Sequence, residues 1–159
     1  MAEHTTQRVT VRGTARSCFA VVTDFESYPQ WAADIKAVTV EEADAEGRAT
    51  RVTWRTAAFG RSTTYTLDYD YSEAPSAVSW KESRGDITSR LDGSYRFEEL
   101  GGGETEVIYS LDVELRVPIP GFVKRRAESR IVATALREFK ARVENGAPAE
   151  ASEEPTPAS

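Results

Sequence analysis

Between residues 61 and 71 the chain reads RSTTYTLDYDY, and two sets of side chains alternate without a break. Thr63, Tyr65, Leu67, Tyr69 and Tyr71 fall on one face, Thr64, Thr66, Asp68 and Asp70 on the other. A period of two predicts a strand with one buried and one wet face. The same parity gives apolar faces of Val52 and Trp54, of Val78 and Trp80, of Leu91, Tyr95 and Phe97, and of Val107, Tyr109, Leu111, Val113 and Leu115. Turn chemistry at DAEGR, FGR, EAPS, RGD and LGGGE separates these runs, which predicts six strands between Asp34 and Leu115. TTQRVTVRG, residues 5 to 13, alternates in the same way and supplies a first strand. Consecutive strands joined by short turns imply an antiparallel meander.

Helical spacing appears twice. After the first strand, Ala15, Cys18, Phe19 and Val22 lie on one helical face, with Thr14 placed to cap it. Asp24 is a candidate cap for a further turn or two in FESYPQW, which Pro29 should end or kink at Tyr28. At the other end of the meander, Pro118 and Pro120 mark the exit from the sheet. From Phe122 to Glu144 the pattern is helical, with a stripe of Ile131, Ala135, Leu136, Phe139 and Val143 and a stop at Asn145-Gly146. At ~1.5 Å per residue such a helix is roughly 34 Å long, about the width of seven strands spaced ~4.8 Å apart.

Composition narrows the chemistry. The chain is 40% hydrophobic and 9% aromatic over 159 residues, enough for one domain with a proper core. Three of its six net negative charges lie in residues 145–159, NGAPAEASEEPTPAS, a segment too polar to offset its ordering entropy. We therefore expect a domain over 1–144 and a disordered acidic tail over 145–159. No apolar run reaches the ~20 residues of a membrane span, and no signal-like segment opens the chain, so a cytoplasmic protein that is not integral to a membrane is expected. A single cysteine, Cys18, and a single histidine, His4, argue against metal sites, disulfides and nucleophile–imidazole pairs, and no cofactor is expected. Cys18 reads as an inert core thiol. LGGGE lacks the lysine of a phosphate loop, and RGD reads as a turn. Arg51, Arg55, Arg61, Arg90 and Arg96 read as scattered over wet strand faces of a mildly acidic body, which argues against broad nucleic-acid binding.

Several positions carry candidate function. Trp54, Tyr65, Tyr69, Trp80, Tyr95 and Tyr109 are inward by parity and all carry polar tips. A dry core prefers aliphatics, because each buried hydroxyl or indole N–H needs a partner, so these rings suit a pocket that holds water or ligand. Glu82 is the one carboxylate sharing parity with an apolar strand face, and a buried carboxyl there is a candidate general acid. Tyr69, Tyr95 and Tyr109 are weak catalytic candidates of the kind that polarise a carbonyl. Finally, Lys124, Arg125 and Arg126 crowd the first turn of the long helix, where the dipole disfavours cations. Either Asp24, Glu26 or Glu128 neutralises them, or they face an anionic headgroup or surface.

Strand, two short helices, six antiparallel strands and a long helix is the order of the helix-grip fold. On FESYPQWAADIKAV (25–38), LDGSYRFEELGGGETEVIYSLDVEL (91–115) and VPIPGFVKRRAESRI (117–131), the chain resembles the START-like (SRPBCC) superfamily, in particular its bacterial polyketide cyclase/dehydrase and coenzyme Q-binding-like group. The resemblance implies an α+β fold in which a curved seven-stranded antiparallel sheet wraps a long C-terminal helix around a cavity. It implies a hydrophobic ligand, such as a lipid, isoprenoid quinone or polyketide-like aromatic, held by Tyr28, Trp31, Trp54, Tyr65, Leu67, Tyr69, Trp80, Tyr95, Phe97, Tyr109, Leu111 and Arg126, with Phe122 as a gate. Two alternatives accompany it: a polyketide aromatase/cyclase or dehydratase in the same cavity, and a ribosome- or protein-interacting module using the surface from Lys124 to Arg130.

Overall fold

The computed structural model describes residues 3–58 and 61–146. Seven strands form one antiparallel sheet: β1 (Glu3–Arg12), β2 (Ile35–Ala43), β3 (Ala49–Ala58), β4 (Arg61–Asp70), β5 (Ala77–Gly85), β6 (Thr88–Gly101) and β7 (Glu104–Leu115). Their spatial order is β1-β7-β6-β5-β4-β3-β2. The meander from β2 to β7 is therefore continuous, and β1 closes on its last strand. Strands β1 and β2, neighbours in the chain, sit at opposite edges, and helix α1 (Ala15–Val22) and a 3-10 helix (Phe25–Gln30) connect them. Helix α2 (Gly121–Glu144) completes the helix-grip arrangement that the sequence pattern predicts.

Parity holds along β7, whereas in β4 Thr66, expected on the wet face, is buried with its hydroxyl 2.9 Å from that of Thr53. In β7, Thr105, Val107, Tyr109, Leu111 and Val113 are buried while the residues between them are partly exposed. Register shifts between β2 and β3, β4 and β5, and β6 and β7 bend the sheet locally, as bulges do. Gly93, on the inward face of β6, adds to this. It pairs with Trp80, and a Cβ there would lie 2.6 Å from both the Trp80 ring and the Ser110 carbonyl. The missing side chain gives the indole its room. At the β6–β7 turn Gly101, Gly102 and Gly103 all take positive φ, between 66° and 88°, which a side chain would strain.

The connecting helices show how local chemistry meets the sheet. Thr14 Oγ1 accepts the Ser17 N–H at 3.0 Å, the cap that the sequence predicts. Asp24 makes no such cap bond, and the following turns run as a 3-10 helix through Pro29 to Gln30 instead of ending at Tyr28. The N–H groups of both Trp31 and Ala32 close on the Tyr28 carbonyl, so the missing proline N–H leaves no gap in the turn. Gly146 takes φ 77° after α2, consistent with the predicted stop. The FGR turn falls partly, and the expected tail almost wholly, outside the described residues.

Helix α2 does not lie evenly over the sheet. Its close neighbours are β1, β7 and α1. Thr5 reaches Glu128, Lys140 Nζ donates to the Thr10 carbonyl at 2.8 Å, and the Arg12 N–H donates to Glu144 at 2.8 Å, so β1 tracks the helix along its length. The stripe facing this edge is Glu128, Val132, Leu136, Phe139 and Val143, all buried. Ile131 and Ala135, predicted for the same stripe, are only half-buried and look onto a different space. Cys18 is fully buried among the core residues of this edge.

Candidate functional site

Between β3–β7 and the outer face of α2 lies a cavity of about 890 Å³. Its floor is sheet: Trp54 from β3, Tyr65, Leu67 and Tyr69 from β4, Trp80 from β5, Tyr95 from β6, Tyr109 and Leu111 from β7. The 3-10 helix adds Phe25 and Tyr28 at one end, with Trp31 immediately after. Helix α2 contributes Val123, Arg126, Ala127, Arg130, Ile131 and Ala135, at the i, i+4, i+8 spacing of one face.

Aromatic rings run along the floor in contact. Tyr28 packs on Trp31 at 4.5 Å and edge-on to Trp54 at 4.8 Å; Phe25 meets Tyr69 at 4.7 Å. Tyr69 leads to Trp80 at 5.8 Å, and Tyr95 and Tyr109 stack at 4.6 Å beyond it. These spacings lie within or near the range favoured by ring quadrupoles. The polar tips differ in their fate. Tyr28 donates to the Val22 carbonyl at 2.7 Å and so holds the 3-10 helix against α1. The Tyr65 hydroxyl lies beside Thr56 and that of Tyr69 beside the Trp54 indole, whose own N–H is buried without a well-aligned acceptor. Neither Tyr95 nor Tyr109 has a hydrogen-bond partner for its hydroxyl among the described residues.

Burial first, and neighbouring phenols second, push the hydroxyls of Tyr28, Tyr69, Tyr95 and Tyr109 well above their ordinary pKa. Tyr65 rises to about 12, again by burial, with the Thr56 hydroxyl opposing. All five are therefore neutral donors near pH 7 and poor bases. Glu82 stands one residue behind the wall and is not part of it. Its Oε2 accepts from Thr88 Oγ1 at 2.8 Å, and Thr88 lines the cavity. Burial raises the Glu82 carboxyl, with the Thr88 hydrogen bond and Arg116 pulling the other way. A methyl at Gly85 would collide with that carboxylate, so the glycine is what lets Glu82 fold over the turn.

Two of the predicted ligand-binding residues lie elsewhere. Phe97 packs on Phe139 and Phe19, at 6.4 and 6.5 Å, where α2 meets the sheet. Phe122 is 63% exposed and turned from the cavity, and Val123, one helical step on, takes the place on the wall. The three cations of the helix start also separate. Lys124 Nζ is 3.0 Å from Glu128 Oε2, a carboxylate fully buried one turn later, so this charge is neutralised within the chain. Arg125 lies off the cavity, and Arg126 lines it. Sequence reading missed Arg130 and Arg61 at the mouth. For Arg61 the signal was present, since it shares parity with Thr63 and Tyr65; for Arg130 it was the four-residue step from Arg126.

Among the described residues no group of three or more His, Cys, Asp or Glu side chains could hold a metal, and no helix is long and apolar enough to cross a membrane. Comparison with known proteins places this architecture. A family model described as "Polyketide cyclase / dehydrase and lipid transport" matches residues 11–140. No curated protein matches at a significant level. Among solved structures, a START superfamily protein from Mycobacterium smegmatis aligns with TM-score 0.85 and 24% identity over 89% of this chain and 97% of that one. The Zhui aromatase/cyclase from Streptomyces sp. R1128 aligns with TM-score 0.79 and 16% identity, over 91% and 95% of the two chains. A protein from Thermus thermophilus gives TM-score 0.76 and 17% identity over 91% and 99%. At these identities the likeness speaks for the fold.

Proposed function

The chain belongs to the polyketide cyclase/dehydrase and lipid transport family, and from that premise we propose that it binds a hydrophobic small molecule between the sheet and α2. The ligand class is a lipid, an isoprenoid quinone or a polyketide-like aromatic, and the setting is the cytoplasm. The observation that carries this reading is the cavity itself. About 890 Å³ is lined mainly by apolar and aromatic side chains, yet two phenol hydroxyls on its floor, Tyr95 and Tyr109, lack a partner among the described residues. Burying the ligand's apolar surface at ~25 cal/mol/Å² supplies affinity, and the unpartnered hydroxyls fix its orientation. Native mass spectrometry of the chain purified from its own source tests this. A small organic adduct, released on denaturation, is expected; a chain that carries no adduct and takes up none from a lipid and quinone extract overturns the reading.

One observation supports a second reading, an aromatase/cyclase or dehydratase in the same cavity. Neutral phenols beside a ligand polarise its carbonyls, and Thr88 connects the wall to the raised carboxyl of Glu82. Binding remains favoured, because no carboxylate or imidazole among the described residues stands on the cavity floor. Turnover of a poly-β-ketone by the wild type that is lost in Glu82→Gln or in Tyr109→Phe would reverse that order.

A further inference from the structure

The mouth of the cavity carries three arginines, Arg61 at the start of β4 and Arg126 and Arg130 on α2. Their guanidinium groups have no hydrogen-bond or ion-pair partner among the described residues. On the helix this arrangement is unfavourable. Arg126 and Arg130 are four residues apart, so their like charges face each other. Neither has an acidic residue three or four positions away in either direction; those places hold Phe122, Val123, Arg126, Ala127, Ser129, Arg130, Ala133 and Thr134. Lys124, by contrast, has Glu128 at i+4 and is paired. Across the opening, Arg61 pairs in register with Ala58, which offers no charge.

Carboxylates line the cavity as well. Asp34 follows the 3-10 helix, and Glu138 stands eight residues beyond Arg130, roughly 12 Å along the helix at ~1.5 Å per residue, with Oε2 accepting the Ala33 N–H at 3.3 Å. Along α2 the lining therefore divides into a cationic side at Arg126 and Arg130 and an acidic end at Glu138, while on the sheet Asp34, whose carbonyl accepts the Ala57 N–H at 2.8 Å, is separated from Arg61 by β3 alone.

We propose that the cationic side is a subsite for an anionic end group, a carboxylate or phosphate, on an otherwise apolar ligand. This deepens the binding reading and rests on it. The apolar body enters between Ile131, Ala135 and the aromatic floor, and the anion stays at the entrance, where arginine forks suit its geometry and water still solvates it. Such a ligand offsets the repulsion between Arg126 and Arg130, which no carboxylate among the described residues relieves.

A matched pair of dyes tests the idea, N-phenyl-1-naphthylamine and 1-anilinonaphthalene-8-sulfonate, which share a hydrophobic body and differ by one sulfonate. Both are expected to bind the full chain, the sulfonate about tenfold or more tighter, the scale of one charge-assisted hydrogen bond. In Arg61→Gln/Arg126→Gln/Arg130→Gln that advantage disappears, and an unfolding midpoint close to that of the wild type shows that the variant is folded. Added salt weakens the sulfonate and spares the neutral dye in the wild type. Displacement of the neutral dye by dodecanoate, dodecyl phosphate and dodecanol then identifies the anion: both anions are expected to act at lower concentration than the alcohol, and the stronger one names the group. Equal affinity of the two dyes, or equal potency of the three chains, overturns the subsite and leaves the cavity reading standing. Failure of both dyes to bind overturns the two together.

Discussion

The two edges of α2 are built from different materials. Along β1, β7 and α1 the helix is in close contact, and the core at this edge includes Val11, Cys18 and Val107, with Phe97 of β6 against Phe139, all at most 4% exposed. Over β3 to β5 the helix stands off, and the facing wall is Trp54, Tyr65, Tyr69 and Trp80, with Tyr95 of β6 at the boundary against Phe139. The packed side is aliphatic, phenylalanine-rich and closed by a buried ion pair; the open side has rings with polar tips and a rim of arginines. The contrast teaches that the aromatic richness of the sheet is not a general core property. It follows where the helix leaves room, because a hydroxyl tip is tolerated beside space that water or a ligand can fill and costly against dry packing.

Substitutions should separate the two sides, and the largest effect belongs to the packed one. Phe139→Ala removes a fully buried ring that meets Trp31, Tyr95 and Phe97, and should lower stability to chemical denaturation by about 3–5 kcal/mol. A loss under about 1 kcal/mol would mean that the packed side is not packed. Lys124→Met leaves Glu128 buried without its cation, and a loss of about 3 kcal/mol is expected from the same measurement. Gly93→Ala sits at the boundary, where its Cβ meets a backbone carbonyl that cannot yield; overpacking of this kind costs about 1–3 kcal/mol. On the open side, Tyr95→Phe and Tyr109→Phe delete hydroxyls that bond to nothing among the described residues, so stability should change by less than about 1 kcal/mol.

Alkali sharpens the same contrast. Folding raises the cavity phenols above their ordinary value of 10.0, Tyr65 to about 12. The unfolded chain therefore loses these protons first, and their contribution to stability is complete below pH 10 and declines as pH climbs from 10 towards 12. Ultraviolet titration of the folded chain should show tyrosines that ionise only with unfolding; ordinary titration of all six near pH 10 would contradict the buried wall.

Much of this was legible in the sequence, and the omissions have physical causes. Period-two parity in RSTTYTLDYDY set Tyr65, Leu67 and Tyr69 on the inner wall, and the order of elements gave the fold, because both are local signals. That α2 hugs β1 and stands away from β4 is a tertiary fact, so Ile131 and Ala135 read as one stripe with Phe139 although they face different spaces. Phe97 shares parity with Tyr95, yet Phe139 fills the space over it. Lys124 and Glu128 were visible as a four-residue pair; the depth of Glu128 was not. Arg61 was read as a wet-face cation because it adjoins a turn, where parity and position pull in opposite directions.

The central claim is that the space between α2 and the strands accepts added volume from a guest. It is tested most directly by placing the same bulk on each edge of the helix, Ala135→Phe into the cavity and Val132→Phe into the packed seam, and measuring both stability and binding of N-phenyl-1-naphthylamine. The account predicts that Ala135→Phe keeps its stability within about 0.5 kcal/mol and loses the dye, while Val132→Phe loses about 1–3 kcal/mol. An Ala135→Phe chain as destabilised as Val132→Phe, or one that binds the dye unchanged, would contradict it.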